Sequence, residues 1–236
     1  MTVINACIII PTKNEEENIG GLVTRIFQIV PDISVLVVDD RSIDKTREIV
    51  RDLQKRFPKL NLLCRDRNFG YGKSIIEGFQ WSTYHGCNLV LTMDADNSHD
   101  PIEVPAMMEL LKKCDLVIGS RYIKGGGIRN WGIHRKILSR FSNFYVRSIL
   151  GLKIRDATTG FCGYKITAID KIIKNNLQSD GYAFLVESKY ILLASGAPCA
   201  EHPIQFTERR AGKSKMSLKI IWESIWLPWR LKKSKL

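Results

Sequence analysis

The sequence has no long apolar run. No stretch of the 236 residues approaches the roughly 18 to 20 consecutive apolar residues that cross a bilayer, which excludes a bundle of membrane spans. The N-terminus also lacks the basic leader, apolar core and small-residue cleavage site of a secretory signal. We therefore expect the protein to stay in the cytoplasm.

Paired cysteines and clustered histidines are missing too. The six cysteines are widely scattered, none in a C-x-x-C pair, and the four histidines are equally dispersed. This distribution argues against a zinc site built from Cys and His, and it predicts that the cysteines are structural thiols. We interpret the histidines, at positions 85, 99, 134 and 202, as ordinary surface or loop residues.

Acidic residues are absent from one long segment. Residues 121–155 contain nine Lys or Arg and no Asp or Glu, and residues 207–236 contain nine basic and two acidic side chains. The net charge of +12 belongs to these two segments, because residues 1–120 carry 14 basic and 17 acidic side chains. Basic charge segregated beside aromatic residues indicates an anionic partner such as phosphate, a lipid headgroup or nucleic acid.

The first half of the chain alternates short β-branched runs with segments of helical period, which is typical of β-α-β units on a mainly parallel sheet. Strands are predicted near 6–10, 33–38, 60–64, 88–93 and 115–119, and helices near 16–30, 42–57, 73–85 and 102–113. Ser42 is predicted to cap the second helix. With 44% hydrophobic and 25% charged residues, the composition fits one compact globular domain.

The second half contains an amphipathic basic helix near 134–150, after a loop with three consecutive glycines at 125–127. The remaining elements are a strand at 161–164, helices near 166–176 and 182–194, a strand near 199–206 and a polar loop at 207–216. We predict an α/β domain over 1–216 and an amphipathic, basic, Trp-rich segment over 217–236. Aromatic rings beside lysines in that segment suit a membrane interface.

Polar residues follow four of the predicted strands. They are Pro11-Thr12-Lys13-Asn14-Glu15, Asp39-Asp40, Asp94-Ala95-Asp96 and Ser120-Arg121-Tyr122. Parallel α/β sheets bind ligands at this edge, and carboxylates crowded there repel each other unless a cation compensates them. If the backbone stays extended, Asp94 and Asp96 point to the same side and share one Mg²⁺ or Mn²⁺, which takes phosphate oxygens as further ligands. The alternatives are an acidic pair in an ordinary turn and, for Glu15 and Asp40, helix capping or dipole stabilisation.

In this order the motifs resemble glycosyltransferase family 2. The segments that carry the resemblance are Ile10 to Glu15, Val38 to Ser42, Met93 to His99 and Gly119 to Tyr122. Later segments are similar to the dolichyl-phosphate, or polyprenyl-phosphate, mannose synthases within that family. These are Gly125-Gly126-Gly127, His134-Arg135-Lys136, Asp156 to Phe161 and Arg209 to Lys215.

The resemblance implies a GT-A fold, Rossmann-like with helices on a mainly parallel sheet, and inverting transfer of mannose from GDP-mannose to dolichyl or polyprenyl phosphate. It implies that Asp94, Asp96 and Ser98 hold Mg²⁺ or Mn²⁺, and that Asp96, Arg121 and Arg135 are catalytic. The donor-binding positions that it implies are Pro11, Lys13, Glu15, Val38, Asp40, Asp94, Ala95, Asp96, Arg121, Arg209 and Lys215. Arg121 and Arg135 would also bind the acceptor phosphate. Lys13 stands where the family commonly has Tyr, so we expect it to contact phosphate instead of stacking on the base.

The expected partners are therefore a nucleotide sugar, a polyprenyl phosphate, a membrane surface and small membrane-anchor subunits, with no nucleic acid. The expected location is the cytoplasmic face of the plasma membrane or endoplasmic reticulum, peripherally bound. One alternative keeps the fold and uses UDP-glucose or another nucleotide sugar. A nucleic-acid-binding protein would explain the basic charge, but the sequence has no recognised nucleic-acid module. A phosphatase would need its nucleophilic aspartate after the first strand, where Lys13 and Asn14 stand.

Overall fold

A seven-stranded mixed sheet forms the centre of the molecule, whose computed structural model describes residues 5–67, 69–177, 179, 181–208 and 218–233. Its strands are β1 (Ala6–Thr12), β2 (Ser34–Asp39), β3 (Leu60–Cys64), β4 (Leu89–Thr92), β5 (Leu116–Ser120), β7 (Cys162–Lys165) and β8 (Cys199–Pro203). They lie in the order β3-β2-β1-β4-β7-β5-β8, and β7 is antiparallel to its two neighbours. A small parallel pair joins β6 (Gly127–Arg129) to β9 (Gln205–Thr207).

Helices cover both faces of this sheet, and their apolar sides form two core layers. They are α1 (Ile19–Ile29), α2 (Thr46–Gln54), α3 (Tyr71–Tyr84), α4 (Val104–Leu111), α5 (Ile133–Leu150), α6 (Ile166–Lys174), α7 (Gly181–Ala194) and α8 (Leu218–Lys233). Because successive strand residues point to opposite faces, Ile8 and Ile10 lie in one layer while Cys7 and Ile9 lie in the other. The near-continuous apolar strands are those of a parallel sheet buried on both sides.

The predicted α/β architecture is confirmed, with three local errors. The single strand predicted near 199–206 is two strands, because the chain leaves the main sheet at Ile204 and β9 pairs with β6 instead. The short β6, within the glycine-rich loop, was not predicted. Ser42 does not cap α2, because its hydroxyl accepts a hydrogen bond from the Asn14 amide at 2.8 Å and α2 begins only at Thr46.

The C-terminal helix α8 lies against α5 and α7. Leu227 and Leu231 are buried in the larger core layer, and Arg230 Nη2 donates to Ser179 Oγ at 2.7 Å. Trp226 and Trp229 point outward. Within the described residues, no helix combines the length and apolar character needed to cross a bilayer.

Candidate active site

The carboxyl ends of β1, β2, β4 and β5 carry the predicted polar segments to one edge of the sheet. Pro11 lies opposite Val38 in the β1–β2 register, and the Asp40 amide donates to the Thr12 carbonyl at 2.8 Å. Val38 is fully buried, so it shapes this edge from the core, whereas Lys13 is exposed. The strand order therefore brings together residues that are more than 80 positions apart in the chain, such as Thr12 and Asp96.

The Asp94-Ala95-Asp96 motif lies in a turn. Strand β4 ends at Thr92, residues 95 and 96 form the turn, and Asn97 has a left-handed φ of 59°. The expectation of an extended backbone at this motif is therefore wrong. The Ser98 amide donates a hydrogen bond to Asp96 Oδ1 at 3.1 Å, and this bond closes a turn. Asp94 Oδ1 accepts from the Tyr71 hydroxyl at 3.2 Å, and burial of that phenol raises its pKa well above the usual value.

His99 contacts the backbone of this turn. The Asp94 amide donates to His99 Nδ1 at 3.2 Å, and the imidazole stacks on Phe161 with ring centroids 5.0 Å apart. Burial lowers the pKa of His99, so the ring is neutral and carries its proton on Nε2. His99 lies in a loop, as interpreted, but it is buried and not an ordinary surface residue. Its position three residues after Asp96 was the signal that could have identified it.

Gly160 allows close approach of the backbone to Asp94. A Cβ atom at this position would lie 2.7 Å from Tyr71 Oη and 3.1 Å from Asp94 Oδ1. The preceding carbonyl, that of Thr159, accepts from the Lys189 ammonium at 2.8 Å, and Lys189 is fully buried. Sequence reasoning did not identify Lys189, because a lysine within an apolar helix is most often a surface residue.

The side chains around Asp96 are of the kinds that a hard divalent cation takes as ligands. Asp94 and Asp96 supply carboxylates, and the Ser98 hydroxyl is buried with no hydrogen-bond partner among the described residues. No group of three or more His, Cys, Asp or Glu side chains in the described part of the chain could hold a metal ion alone. This donor set matches Mg²⁺ sites in which one or two carboxylates act together with substrate phosphates.

The nucleotide-binding positions predicted after β1 and β2 are held by internal hydrogen bonds. Asp40 Oδ1 pairs with the buried Arg65 guanidinium, and Asp40 Oδ2 accepts from the Gly70 amide at 2.9 Å at the start of α3. Glu15 Oε2 accepts from Asn18 Nδ2 at 2.8 Å. A cavity of about 480 Å³ opens beside these residues, lined by 14–18 and 43–44. Asp40 therefore joins the loops after β2 and β3, and its contact with a nucleotide stays a prediction.

Arg121 forms a buried ion pair with Asp156. Its Nε and Nη2 donate to the two Asp156 oxygens at 2.7 and 2.8 Å, and Nη2 also donates to Thr158 Oγ1 at 2.8 Å. Burial alone would raise the pKa of Asp156, but the charge and hydrogen bonds of Arg121 outweigh it and lower that pKa. The guanidinium is thus fixed at the end of β5, and its role in phosphate binding stays a prediction.

Arg135 lies in the first turn of α5. Its Nη1 donates to Glu208 at 2.8 Å, and the guanidinium lies 4.0 Å from the centroid of the Trp131 ring. Arg209 and Lys215 lie outside the described residues. Arg121 and Arg135 therefore each have a carboxylate partner of their own.

Comparison with known proteins gives three similar curated relatives. A polyprenol monophosphomannose synthase from Mycolicibacterium smegmatis is 38% identical over 89% of this chain and 80% of its own. An undecaprenyl-phosphate mannosyltransferase from Micrococcus luteus is 37% identical over 92% and 89%. A dolichol-phosphate mannosyltransferase from Pyrococcus furiosus is 31% identical over 96% and 63%.

Solved structures share the fold at lower identity. Glucosyl-3-phosphoglycerate synthase from Mycobacterium tuberculosis superposes with a TM-score of 0.70 at 14% identity, over 98% of this chain and 80% of that one. The predicted GT-A fold is thereby confirmed. The model of glycosyl transferase family 2 matches residues 7–173, so this chain belongs to that family.

Proposed function

We propose that the chain transfers mannose from GDP-mannose to the phosphate of dolichol or a related polyprenol, with inversion and with Mg²⁺ or Mn²⁺. The observation that carries the proposal is 31–38% identity, over 89–96% of the chain, to three proteins named for mannose transfer to polyprenyl phosphates. The oxygen donors at Asp94, Asp96 and Ser98 supply the matching donor site.

The donor diphosphate binds at the turn after β4. Asp94 and Asp96, with the Ser98 hydroxyl, would hold Mg²⁺ or Mn²⁺, which neutralises the charge that develops on the departing nucleoside diphosphate. Crystals of glucosyl-3-phosphoglycerate synthase, which has the same fold, contain Mn²⁺ and UDP. Two hydrogen bonds orient Asp94: its amide donates to His99 Nδ1, and its carboxylate accepts from the Tyr71 hydroxyl. Pro11, Glu15, Val38 and Asp40 would shape the nucleotide site.

The acceptor needs no general base from the protein. The second pKa of a phosphate monoester is about 6, so the acceptor is already mostly ionised at neutral pH. The residues must instead offset repulsion between two anions and align the attacking oxygen with the sugar carbon. Arg121 and Arg135 would do this for the acceptor phosphate through the positive charge of their guanidinium groups. Asp156 fixes Arg121 in place for that task.

A membrane supplies the lipid acceptor, and α5 and α8 would contact it. Large apolar side chains on both helices are exposed: Ile133, Ile137, Leu138, Phe141 and Phe144 on α5, and Ile225, Trp226 and Trp229 on α8. Basic residues lie between and beside them, as in helices that rest at a membrane surface. We place the protein on the cytoplasmic face of a membrane, bound peripherally and with small membrane-anchor subunits as candidate partners. Residues 1–216 would form the catalytic domain and 217–236 the contact segment.

Glucose transfer from UDP-glucose is the second candidate. Glucosyl-3-phosphoglycerate synthase has been crystallised with UDP-glucose, although its 15% identity supports the fold alone. Lys13, Asn97 and Asp100 also differ from the residues usual beside these family motifs. In the structure Asp100 pairs with Arg25 at 2.8 Å and caps the following 3-10 turn, Pro101–Glu103.

A donor screen tests the proposal. Purified protein is incubated with polyprenyl phosphate and, in separate reactions, GDP-mannose, UDP-glucose and other nucleotide sugars. We expect a labelled glycolipid only with GDP-mannose, and we expect a chelator to abolish it. A product with UDP-glucose alone would favour the second candidate, and no chelator-sensitive glycolipid with any donor would contradict both.

A further inference from the structure

A basic cleft opens between α5 and the loops after β5 and before β7. It has a volume of about 320 Å³, and we call it the arginine cleft. Its lining includes Arg121, Tyr122, Arg140, Asn143, Arg147 and Arg155. Arg140, Arg147 and Arg155 have no assigned role in donor or acceptor binding.

In the part of the chain that the structure describes, the side chains of the three outer arginines, Arg140, Arg147 and Arg155, are not paired with carboxylates, although the Arg155 backbone amide donates to Glu201 Oε2 at 2.7 Å. No salt bridge within the described residues involves Arg140, Arg147 or Arg155. The Nε of Arg147 is buried with no hydrogen-bond partner there. A favourable interaction with the C-terminal end of α5 would account for a basic residue at position 147 but leaves this buried donor unsatisfied. An oxyanion in the cleft would supply the countercharge that these three side chains lack among the described residues.

The cleft borders the exposed apolar side of α5. Residues three and four apart are neighbours on a helix, so Arg140 and Arg147 both lie next to Phe144, and Arg140 also lies next to Ile137. Phe144 and Ile137 are 65% and 62% exposed. A ligand that fits both surfaces has an anionic head and an apolar tail. A free phosphate would use only the arginines.

We propose that the arginine cleft binds the phosphodiester headgroup of an anionic membrane phospholipid, while its acyl chains lie against the apolar side of α5. The inference rests on the proposed contact between α5 and a membrane. The cleft shares Arg121 with the predicted acceptor site but extends beyond it to Arg140, Arg147 and Arg155, whereas Arg135 does not line it and interacts with Glu208 and Trp131. Bound phospholipid would hold the catalytic edge of the sheet at the membrane surface.

Vesicle co-sedimentation of the full chain tests this site without any sugar donor. The vesicles are phosphatidylcholine alone, phosphatidylcholine with phosphatidylglycerol, and phosphatidylcholine with polyprenyl phosphate. The site variant is Arg147→Gln with Arg155→Gln. The control is Lys136→Gln with Lys153→Gln, which removes the same charge from the same helix and loop but does not line the cleft.

We expect the site variant to lose at least about tenfold more affinity for phosphatidylglycerol vesicles than the control. Both lose long-range attraction, but only the site variant loses charge-assisted hydrogen bonds to phosphate. The double variant Arg147→Lys with Arg155→Lys keeps the charge. Its affinity for phosphatidylglycerol vesicles should nevertheless fall nearly as far as that of the glutamine variant, because Lys lacks the paired donors of Arg. This second variant also keeps the test valid if the glutamine variant folds poorly.

Four results would overturn the proposal. Equal losses in site and control variants would mean general electrostatic attraction. A loss confined to polyprenyl phosphate vesicles would make the cleft an acceptor subsite, and a parallel loss of nucleotide binding would assign it to the donor site. Complete competition by inorganic phosphate would indicate a free-phosphate site. Because no step requires sugar transfer, a failure of the proposed mannosyl transfer would not change these results.

Discussion

At the residue scale, Asp96 is the most direct test of the donor site. Asp96→Ala should lower kcat by at least about a hundredfold and remove metal-dependent donor binding, because it deletes a carboxylate of the predicted cation site. The melting temperature should stay close to that of the wild type. Asp100→Ala is the matched control, since Asp100 is four residues away and pairs with Arg25 at the surface. Near-normal turnover by Asp96→Ala would contradict the metal assignment.

Gly160 tests whether the narrow space beside Asp94 matters. Gly160→Ala places a methyl group within 2.7 Å of Tyr71 Oη, so we expect Asp94 to shift and kcat to fall about tenfold or more. Adding Tyr71→Phe removes the nearest atom and should restore part of that loss. Gly21→Ala is the control, because an added methyl group there has no neighbour within 4 Å. Equal kcat values for the two alanine variants would show that the close contact has no catalytic role.

The Arg121–Asp156 pair predicts a dependence of stability on pH. Removing one partner of a buried pair is costly, so Asp156→Asn should lower the free energy of unfolding by about 3–5 kcal/mol at neutral pH. The folded-state pKa of Asp156 is below its unfolded value, so its contribution is complete above about pH 4 and is lost as the pH falls through the folded pKa.

Urea unfolding across this range measures the effect. The difference between wild type and Asp156→Asn should shrink as the pH is lowered below about 4. Asp52→Asn, which removes an exposed pair with Lys55, should leave the free energy of unfolding nearly unchanged. A difference that does not change with pH would mean that Asp156 contributes through packing and not through its charge.

At the element scale, local patterns predicted what depends on local sequence. Strands β1 to β5 were identified because each is a short β-branched run between helices, and their shared edge follows from parallel pairing. The pairing of β6 with β9 depends on contacts between residues almost 80 positions apart, and no local pattern encodes it. The burial of His99 and Lys189 depends likewise on distant partners, Phe161 and Thr159.

The same distinction applies to the candidate site. The sequence predicted which segments meet at the sheet edge, but it did not predict that Asp40 pairs with Arg65 or that Arg121 pairs with Asp156. The two members of each pair lie in different loops, so only the folded backbone brings them together. The sequence therefore indicates which segments meet at this edge, whereas the groups that hold Asp40 and Arg121 in place follow only from the folded backbone.

At the scale of the whole molecule, α8 packs into the core and also carries the proposed membrane contact, and adjacent residues allow the two to be tested separately. Deleting 217–236 should weaken membrane association more than donor binding. Because Leu227 and Leu231 complete the core between α5 and α7, deletion should also destabilise the fold. Leu227→Ala should lower the free energy of unfolding by about 2–5 kcal/mol. Trp226→Ala, one residue earlier and 62% exposed, should leave it nearly unchanged.

For membrane binding, Trp226→Ala should be the more damaging of the two substitutions. Trp226→Ala removes an aromatic ring from the proposed contact face and should weaken vesicle binding about tenfold, whereas Leu227→Ala should bind vesicles normally while folded. Thermal unfolding and vesicle co-sedimentation of the two variants measure both quantities. If Trp226→Ala also unfolded early, or bound vesicles as well as the wild type, α8 would act only as part of the core and the membrane contact would have to come from α5.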